Sequence, residues 1–594
     1  MKLECDGELF RSQLALRLDA TQRTGQPAAV QLDFVLRRCS AQSFGHPLER
    51  NDALNAVTSP QRFQERVHSL QHHVTIDHRR LLAVLTSTLR LRAPAWNHQQ
   101  RCVFLGLCVE PFRVGTMPTT RIVAHAPLAE VAPVFEGIRR TAGVEDQHSL
   151  EVIRDAEAGR EPNDLPHVQG PRVDADHLPL VTIDPAGSRD LDQAVAIERV
   201  DGRFRVHYAI ADVGAHVVPG SALDLDTRER IETTYCPDKR IGLHPPQMSE
   251  GYASLLPEQR TKAVLWTLDL ASDGELDGVS VVRAWVTSRR QYSYDELTER
   301  PPEEALDLIE SMRAVGDLRR SLTRARGAVT LPKPSQEVSE HAGHLTLEFR
   351  AARQLEDDNA QISLLTGMAA ARLMLEAGVG ILRTMPPASD EAIERLRRQA
   401  AALGVVWPAS ATYADMLDHL DVEAPHAAAF LVAAVSLFRG ASWEPFDSAR
   451  PGDLPMPEST THGALAAPYA HVTAPLRRLV DRYGTEVCLA HHGGYPIPTW
   501  ALDSLPWIGT AMSAGVQRGS TIERACIAAV ETALLQPHIG EEFEGVGLDR
   551  STVQLAEPAV IARCNGDVEP GILQRVRLVS SSAPHGPVFE VIVP

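Results

Sequence analysis

Three aspartates fall within nine residues of the stretch TIDPAGSRDLDQA, Thr182 to Ala194: Asp184, Asp190 and Asp192. Like charges this close repel, so a chain that gathers them needs a shared positive partner or a set of backbone donors. The run VTI reads as a strand that delivers Asp184. Pro185 and Gly187 then turn the chain, and Asp190 and Asp192 follow two apart around Leu191. In extended geometry side chains two apart share a face, so the three carboxylates are expected to converge on one spot. Hard oxygen ligands of this kind suit Mg²⁺. A pair of such ions is the usual device for in-line hydrolysis of a phosphodiester. The alternative is a polar turn whose aspartates cap backbone N–H groups. The spacing of an EF-hand calcium loop is absent.

A second stretch, YAHVTAPLRRLVDRYG, runs from Tyr469 to Gly484. Its pattern predicts a helix over 474–490, capped by Thr473, with Pro475 in the first turn and an apolar face of Leu476, Leu479, Val480, Tyr483 and Val487. Arg477 and Arg478 would then sit in the first turn, against the helix macrodipole. That placement is poor for stability and reasonable for gripping a phosphate; a solvated basic face is the other reading. His491-His492-Gly493-Gly494 reads as a helix C-cap rather than a metal site. No HExxH, GxSxG or Walker A pattern occurs.

These stretches need a large frame to bring them together. The chain has 594 residues, enough for several domains, with 44% apolar, 23% charged and 5% aromatic residues. No apolar run is long enough for a membrane span, and the opening MKLECDGELFRSQL has no signal-peptide core. Eight cysteines are scattered without a CxxC pair, which argues against a zinc ribbon or a dense disulfide framework. A cytoplasmic protein is expected. The net charge is −18, yet residues 1–150 carry 18 Arg and Lys against 14 Asp and Glu. A mildly basic N-terminal part on an acidic body suits an anion-binding module on an enzyme, or is chance variation between domains.

Along the chain, 78–92 reads as a helix, and RCVFLGLCVE and TTRIVAHA read as strands, compatible with a winged helix or a small β-barrel. Residues 158–172, rich in Gly, Pro and polar side chains, read as a linker. DQAVAIERV and RFRVHYAIADV flank Asp201-Gly202, a strong tight-turn pair. KAVLWTLDL and VSVVRAWVTS form a second strand pair. Helical patterns follow near 303–326, 358–377, 389–403, 426–438 and 507–535, and short alternating segments return after LLQPHIG. The result is an α+β multidomain chain: an N-terminal nucleic-acid-binding module over 1–165, winged-helix-like or OB, a large domain over 166–535, and an OB-type barrel over 536–594.

Together the motifs resemble the RNB family, the exoribonucleases of the ribonuclease II and ribonuclease R type. The family signature Ile-Asp-Pro…Asp-x-Asp-Asp-Ala appears here as IDPAGSRDLDQA. YAIADVGAHVVPGS, LHPPQMSEGYASLLPEQRTKAVL, RGAVTLPKP, HGALAAPYAHVTAPLRRLVDRYG and IERACIAAVE follow in the family's order, from about 172 to 536. The resemblance implies an RNB catalytic domain, a C-terminal S1-type OB domain, and processive 3′→5′ hydrolysis of single-stranded RNA with a free 3′ end. The products would be nucleoside 5′-monophosphates and the cofactor Mg²⁺, with Mn²⁺ as a substitute, in a monomeric protein. It implies Asp184, Asp190, Asp192 and Gln193 as the metal site, Asp192 and Arg477 as the catalytic pair, and Tyr235, Arg478 and Glu523 as RNA contacts. Gln193 stands where the family usually has a fourth aspartate. Leu331 stands near the place of a base-stacking aromatic, and 358–373 lacks the usual acidic pair. The change at Gln193 motivates an alternative function, an RNA-binding regulator with impaired chemistry.

Overall fold

Strands read from alternation assemble into one sheet. The computed structural model describes residues 125–592 apart from 162, 330, 332–333, 423 and 583–584, all within the unit Thr116–Pro594. The helix expected at 78–92, RCVFLGLCVE and the winged-helix-like module lie outside the described residues, save the end of that module. In chain order come β1 (Arg172–Asp174), β2 (Thr182–Asp184), β3 (Gln193–Val200), β4 (Arg203–Ala211), β5 (Thr234–Tyr235), β6 (Arg260–Leu270), β7 (Leu276–Thr287) and β8 (Gln291–Ser293). Five of them form a sheet in the order β1-β7-β6-β4-β3, antiparallel except for the parallel β1–β7 edge. Asp201 and Gly202 both take positive φ, 51° and 77°, as the two-residue turn between β3 and β4 requires.

The alternation in β4 understates its burial. His207 to Ala211 are buried on both sides of the strand. Val206, Tyr208 and Ile210 join the main core, while Ala209 packs with Leu191, Leu265 and Ala284 on the opposite face. The helices of the second half supply the main core's other wall. They include α1 (Gln354–Ala377), α2 (Leu479–Gly493) and the long α3 (Leu505–Leu535). Between α1 and α2 the strands β9 (Val379–Thr384) and β10 (Ser442–Asp447) pair antiparallel. The C-terminal strands β11 (Glu542–Gly547), β12 (Thr552–Gln554), β13 (Ile561–Asn565), β14 (Leu573–Ser582) and β15 (Gly586–Val591) close into a barrel, in the order β11-β12-β13-β15-β14. Phe543 and Phe589 meet edge to face inside it, their centroids 5.7 Å apart.

Two local expectations are corrected. The linker at 158–172 is tied down: Lys262 Nζ donates to the carbonyls of Glu161 and Asn163, and Arg172 pairs with Asp164. Polar composition there reflects satisfied backbone groups, not freedom. The helix expected from 474 begins only at Leu479. Residues 474–478 form a separate turn instead: Arg477 N and Arg478 N both donate to the Ala474 carbonyl, and Arg478, extended at φ −133° and ψ 126°, bridges to Glu232 and interrupts the run. Asp481 accepts from Ala474 N at 2.7 Å, and Asp192 from Leu476 N at 2.8 Å. Thr473 caps nothing. Gly494, with φ of 70°, ends α2 as the Gly-Gly pair foretold.

Candidate active site

The short segment 474–478 and the loop after β2 face each other across this frame. Parallel pairing of β2 with β8 sets Asp184 opposite Ser293. One of its carboxylate oxygens, Oδ2, is buried without a hydrogen-bond partner. Burial, and then the neighbouring Asp190, push this carboxyl up to about 7 against the pull of Arg477. Asp192 is 3% exposed. Its Oδ1 accepts from Leu476 N, and its Oδ2 lies 3.9 Å from Arg477 Nε. Burial holds it well above the usual carboxylate range, although Arg477 and the Leu476 N–H pull it down.

Asp190 differs from both neighbours. It pairs with Arg240, which also pairs with Glu250. Arg240 stands opposite Tyr235 where Arg240–Ile241 pairs with β5. The three aspartates therefore meet in pairs rather than at one point. Among the described residues no three His, Cys, Asp or Glu side chains are grouped closely enough to hold a metal ion. The expected three-way convergence is not met in this arrangement, in which Arg240 holds Asp190.

Gln193, at the start of β3, donates its amide Nε2 to the carbonyl of Thr473. A carboxylate has no proton to donate there. The amide thus ties β3 to the chain leading into 474–478. Arg478 also departs from expectation. Its guanidinium donates to the buried Asp481 at 2.8 Å, and its backbone bridges to Glu232. It clamps the turn, whereas Arg477, with 44% of its side chain exposed, is open to a ligand. Tyr235 is 54% exposed beside the aspartates. Glu523 is exposed on α3 and has no partner among the described residues.

Sequence reasoning missed several neighbours. Glu232 is half-buried, its carboxyl raised by burial and opposed by Arg518, Arg478 and Arg477. A Cβ on Gly519 of α3 would come within 2.6 Å of its Oε1, so the glycine allows that approach. Tyr294 lies beside Asp184, with its hydroxyl accepting from Asn359 Nδ2 at 2.8 Å. Asn359 sits in the helix where an acidic pair was expected, which was the one available signal.

The RNB domain model matches residues 172–486, and the model of the RNase II-type exonuclease C-terminal S1 domain matches 541–589, the barrel. The chain belongs to the RNB family. It is 28% identical over 344 residues to the exosome complex exonuclease RRP44 homolog A of Arabidopsis thaliana, covering 55% of this chain and 36% of that protein. It is 25% identical over 413 residues to ribonuclease R of Escherichia coli, covering 63% of this chain and 48% of that protein. The chain thus spans half or less of the length of these curated relatives. Mycoplasma genitalium RNase R, solved with ribose-methylated single-stranded RNA, has the same fold at a TM-score of 0.68 and 16% identity, with 78% of each chain covered. So does yeast Ssd1, described as a pseudonuclease, at a TM-score of 0.54 and 14% identity over 75% of this chain and 56% of that one.

Proposed function

We propose that this protein is a 3′→5′ exoribonuclease that removes nucleoside 5′-monophosphates processively from single-stranded RNA with a free 3′ end. The observation that carries this reading is Asp192. It is buried, only partly compensated by Arg477, and joined through the Leu476 N–H to the turn that presents that arginine. Burial disfavours the ionised form of a carboxyl in such a place, and a bound cation would restore it. Asp184, with its unpartnered oxygen and raised carboxyl, is a second group of the same kind.

This donor set fits a hard divalent cation, Mg²⁺ or Mn²⁺. Asp184 and Asp192 would hold it, with Asp190 after exchange of its Arg240 partner. Bound there, the ion supplies a water of lowered pKa and neutralises charge on the phosphate. The chain's own groups do the remaining work. Arg477 donates to the scissile phosphate as negative charge grows on it. Tyr235 offers its open ring to the terminal nucleotide, and Glu523 accepts from that nucleotide's hydroxyls. Gln193 and Arg478 are positioning residues, holding the 473–478 segment against β3 and α2. The S1 barrel and the N-terminal region feed single strand into the site of a monomer working in the cytoplasm.

A second reading, an RNA-binding regulator with impaired hydrolysis, is favoured by Gln193 and by the Arg240 grip on Asp190. A 5′-labelled RNA of about 30 nucleotides, long enough to reach the feeding domains, separates the two. With Mg²⁺, wild type is expected to release 5′-mononucleotides from the 3′ end, whereas Asp192→Asn binds without cutting. Binding without cleavage by wild type, in Mg²⁺ and in Mn²⁺, would overturn the nuclease reading in favour of the regulator.

A further inference from the structure

Seven arginines among the described residues keep a side-chain nitrogen buried without a hydrogen-bond partner: 139, 228, 353, 383, 478, 482 and 575. Six of them have a carboxylate within ion-pair distance. Arg383 alone has none. Its guanidinium stacks on the Trp443 indole at 3.8 Å, and its Nη1 is the orphaned nitrogen. Arg383 is only partly buried, but a guanidinium with one sealed, unbonded nitrogen and no carboxylate partner calls for an explanation.

The surroundings deepen the puzzle. Arg383 is the penultimate residue of β9, and its backbone N–H donates to the Tyr469 carbonyl at 2.7 Å. From there the chain runs through His471 to Thr473 and on to Arg477. Burial, together with Arg478, Arg383 and Arg477, drives His471 well below its usual range, so the ring is neutral. Its Nδ1 accepts from Trp443 Nε1 at 3.3 Å, which leaves the proton on Nε2 as a donor. Positive charge and neutral donors thus collect behind the scissile-phosphate arginine. The buried acid Asp481 is already taken by Arg478 and the Ala474 N–H.

We propose that Arg383, with Trp443 and His471, forms an anion subsite for a backbone phosphate of the RNA on the 5′ side of the cleaved linkage. The strand's direction rests on the exoribonuclease reading. An enzyme cutting the terminal linkage meets only a hydroxyl beyond it on the 3′ side, so any further phosphate must lie upstream. A phosphodiester supplies the missing counter-charge without the full desolvation cost of a second buried side chain. The other guanidinium nitrogens, Nε and Nη2, are not sealed and carry the N–H groups available to phosphate oxygens.

The test varies protein and ligand separately. Single-turnover removal of the 3′ nucleotide is measured on short RNAs carrying one uncharged methylphosphonate at the second, third or fourth linkage from the 3′ end. Wild type is compared with Arg383→Gln. The variant should slow unmodified RNA about tenfold, the scale of one charged hydrogen bond. One methylphosphonate position should slow wild type by the same factor and cost the variant nothing more. A variant as fast as wild type, or ligand penalties that persist in full in the variant at every position, overturns the subsite. The ligand arm needs no mutant, so a folding defect in Arg383→Gln cannot hide the answer: indifference of wild type to all three modifications also overturns it. If wild type removes no nucleotide even from unmodified RNA, the exoribonuclease reading fails instead. Binding of the same RNAs then decides, with equal affinity of wild type and variant refuting the subsite and a matched loss supporting it.

Discussion

Two groups of buried carboxylates lie in the same domain, and Asp212 of the first behaves opposite to Asp184 and Asp192 of the second. Asp212, just after β4, accepts from Arg283 at 2.5 Å and from Arg172 at 2.8 Å, and Arg283 also reaches Glu486 of α2 at 2.5 Å. Burial alone would raise Asp212, yet the two arginines hold it below the usual carboxylate range. Glu486, with only a share of one arginine, is raised. The network is close-fitted: a Cβ on Gly214 would sit 2.6 Å from Glu486 Oε1. Asp184 and Asp192 are comparably enclosed but keep only a distant arginine, and both are raised. Burial is common to both groups. The difference is whether the fold completes the charge, and that separates carboxylates matched within the domain from carboxylates left without a close partner.

The sharpest way to break this comparison is to neutralise one aspartate from each group. Asp192→Asn should slow RNA cleavage on the order of 10³-fold while leaving urea unfolding unchanged or slightly shifted to higher concentration, because a costly buried carboxyl is gone. Asp212→Asn should do the reverse, lowering stability by about 3–5 kcal/mol because Arg283 and Arg172 lose their shared partner. Equal loss of stability in both variants would erase the distinction.

A pH series sharpens it further. In metal-free protein the folded state keeps the Asp184 proton up to about 7, above its usual release near 3.8. The folded state therefore binds more protons than the unfolded state across that window. This group's contribution to stability is lost as pH rises from about 4 to about 7. The wild type minus Asp184→Asn difference in unfolding free energy should drift by a few kcal/mol over that range. Adding Mg²⁺ at pH 8 should stabilise wild type more than the variant. A flat difference would mean that Asp184 already has its partner.

The smallest expected effect belongs to Gln193→Asp. The new carboxylate cannot donate to the Thr473 carbonyl, so metal-free stability should fall by about 1–2 kcal/mol. The added charge should lower the Mg²⁺ concentration needed for half-maximal cleavage. Unfolding and metal titration together check both, and no change in either would remove Gln193 from the account.

By itself, the sequence determined the order of elements and the residue types available for chemistry. Period-two and period-3.6 patterns, with Asp201-Gly202 and the Gly493-Gly494 end of α2, are local signals set by neighbouring residues, so the strands, most helices and the alternation of the C-terminal barrel could be read directly. The aspartate cluster and the Arg477-Arg478 pair were equally plain as chemistry. Only the tertiary structure decided how those groups are spent. Arg478 looked like a second phosphate contact until Asp481 claimed it. Asp190 looked equivalent to its neighbours until Arg240 drew it away. Thr473 looked like a cap until the extended Arg478 bridged to Glu232 and set the helix start at Leu479. Arg383 carried no motif at all, and its missing counter-charge is visible only once every carboxylate has been assigned. Partnership between polar groups some 280 residues apart, as between Asp192 and the Leu476 N–H, is fixed by packing and burial, which no local pattern encodes.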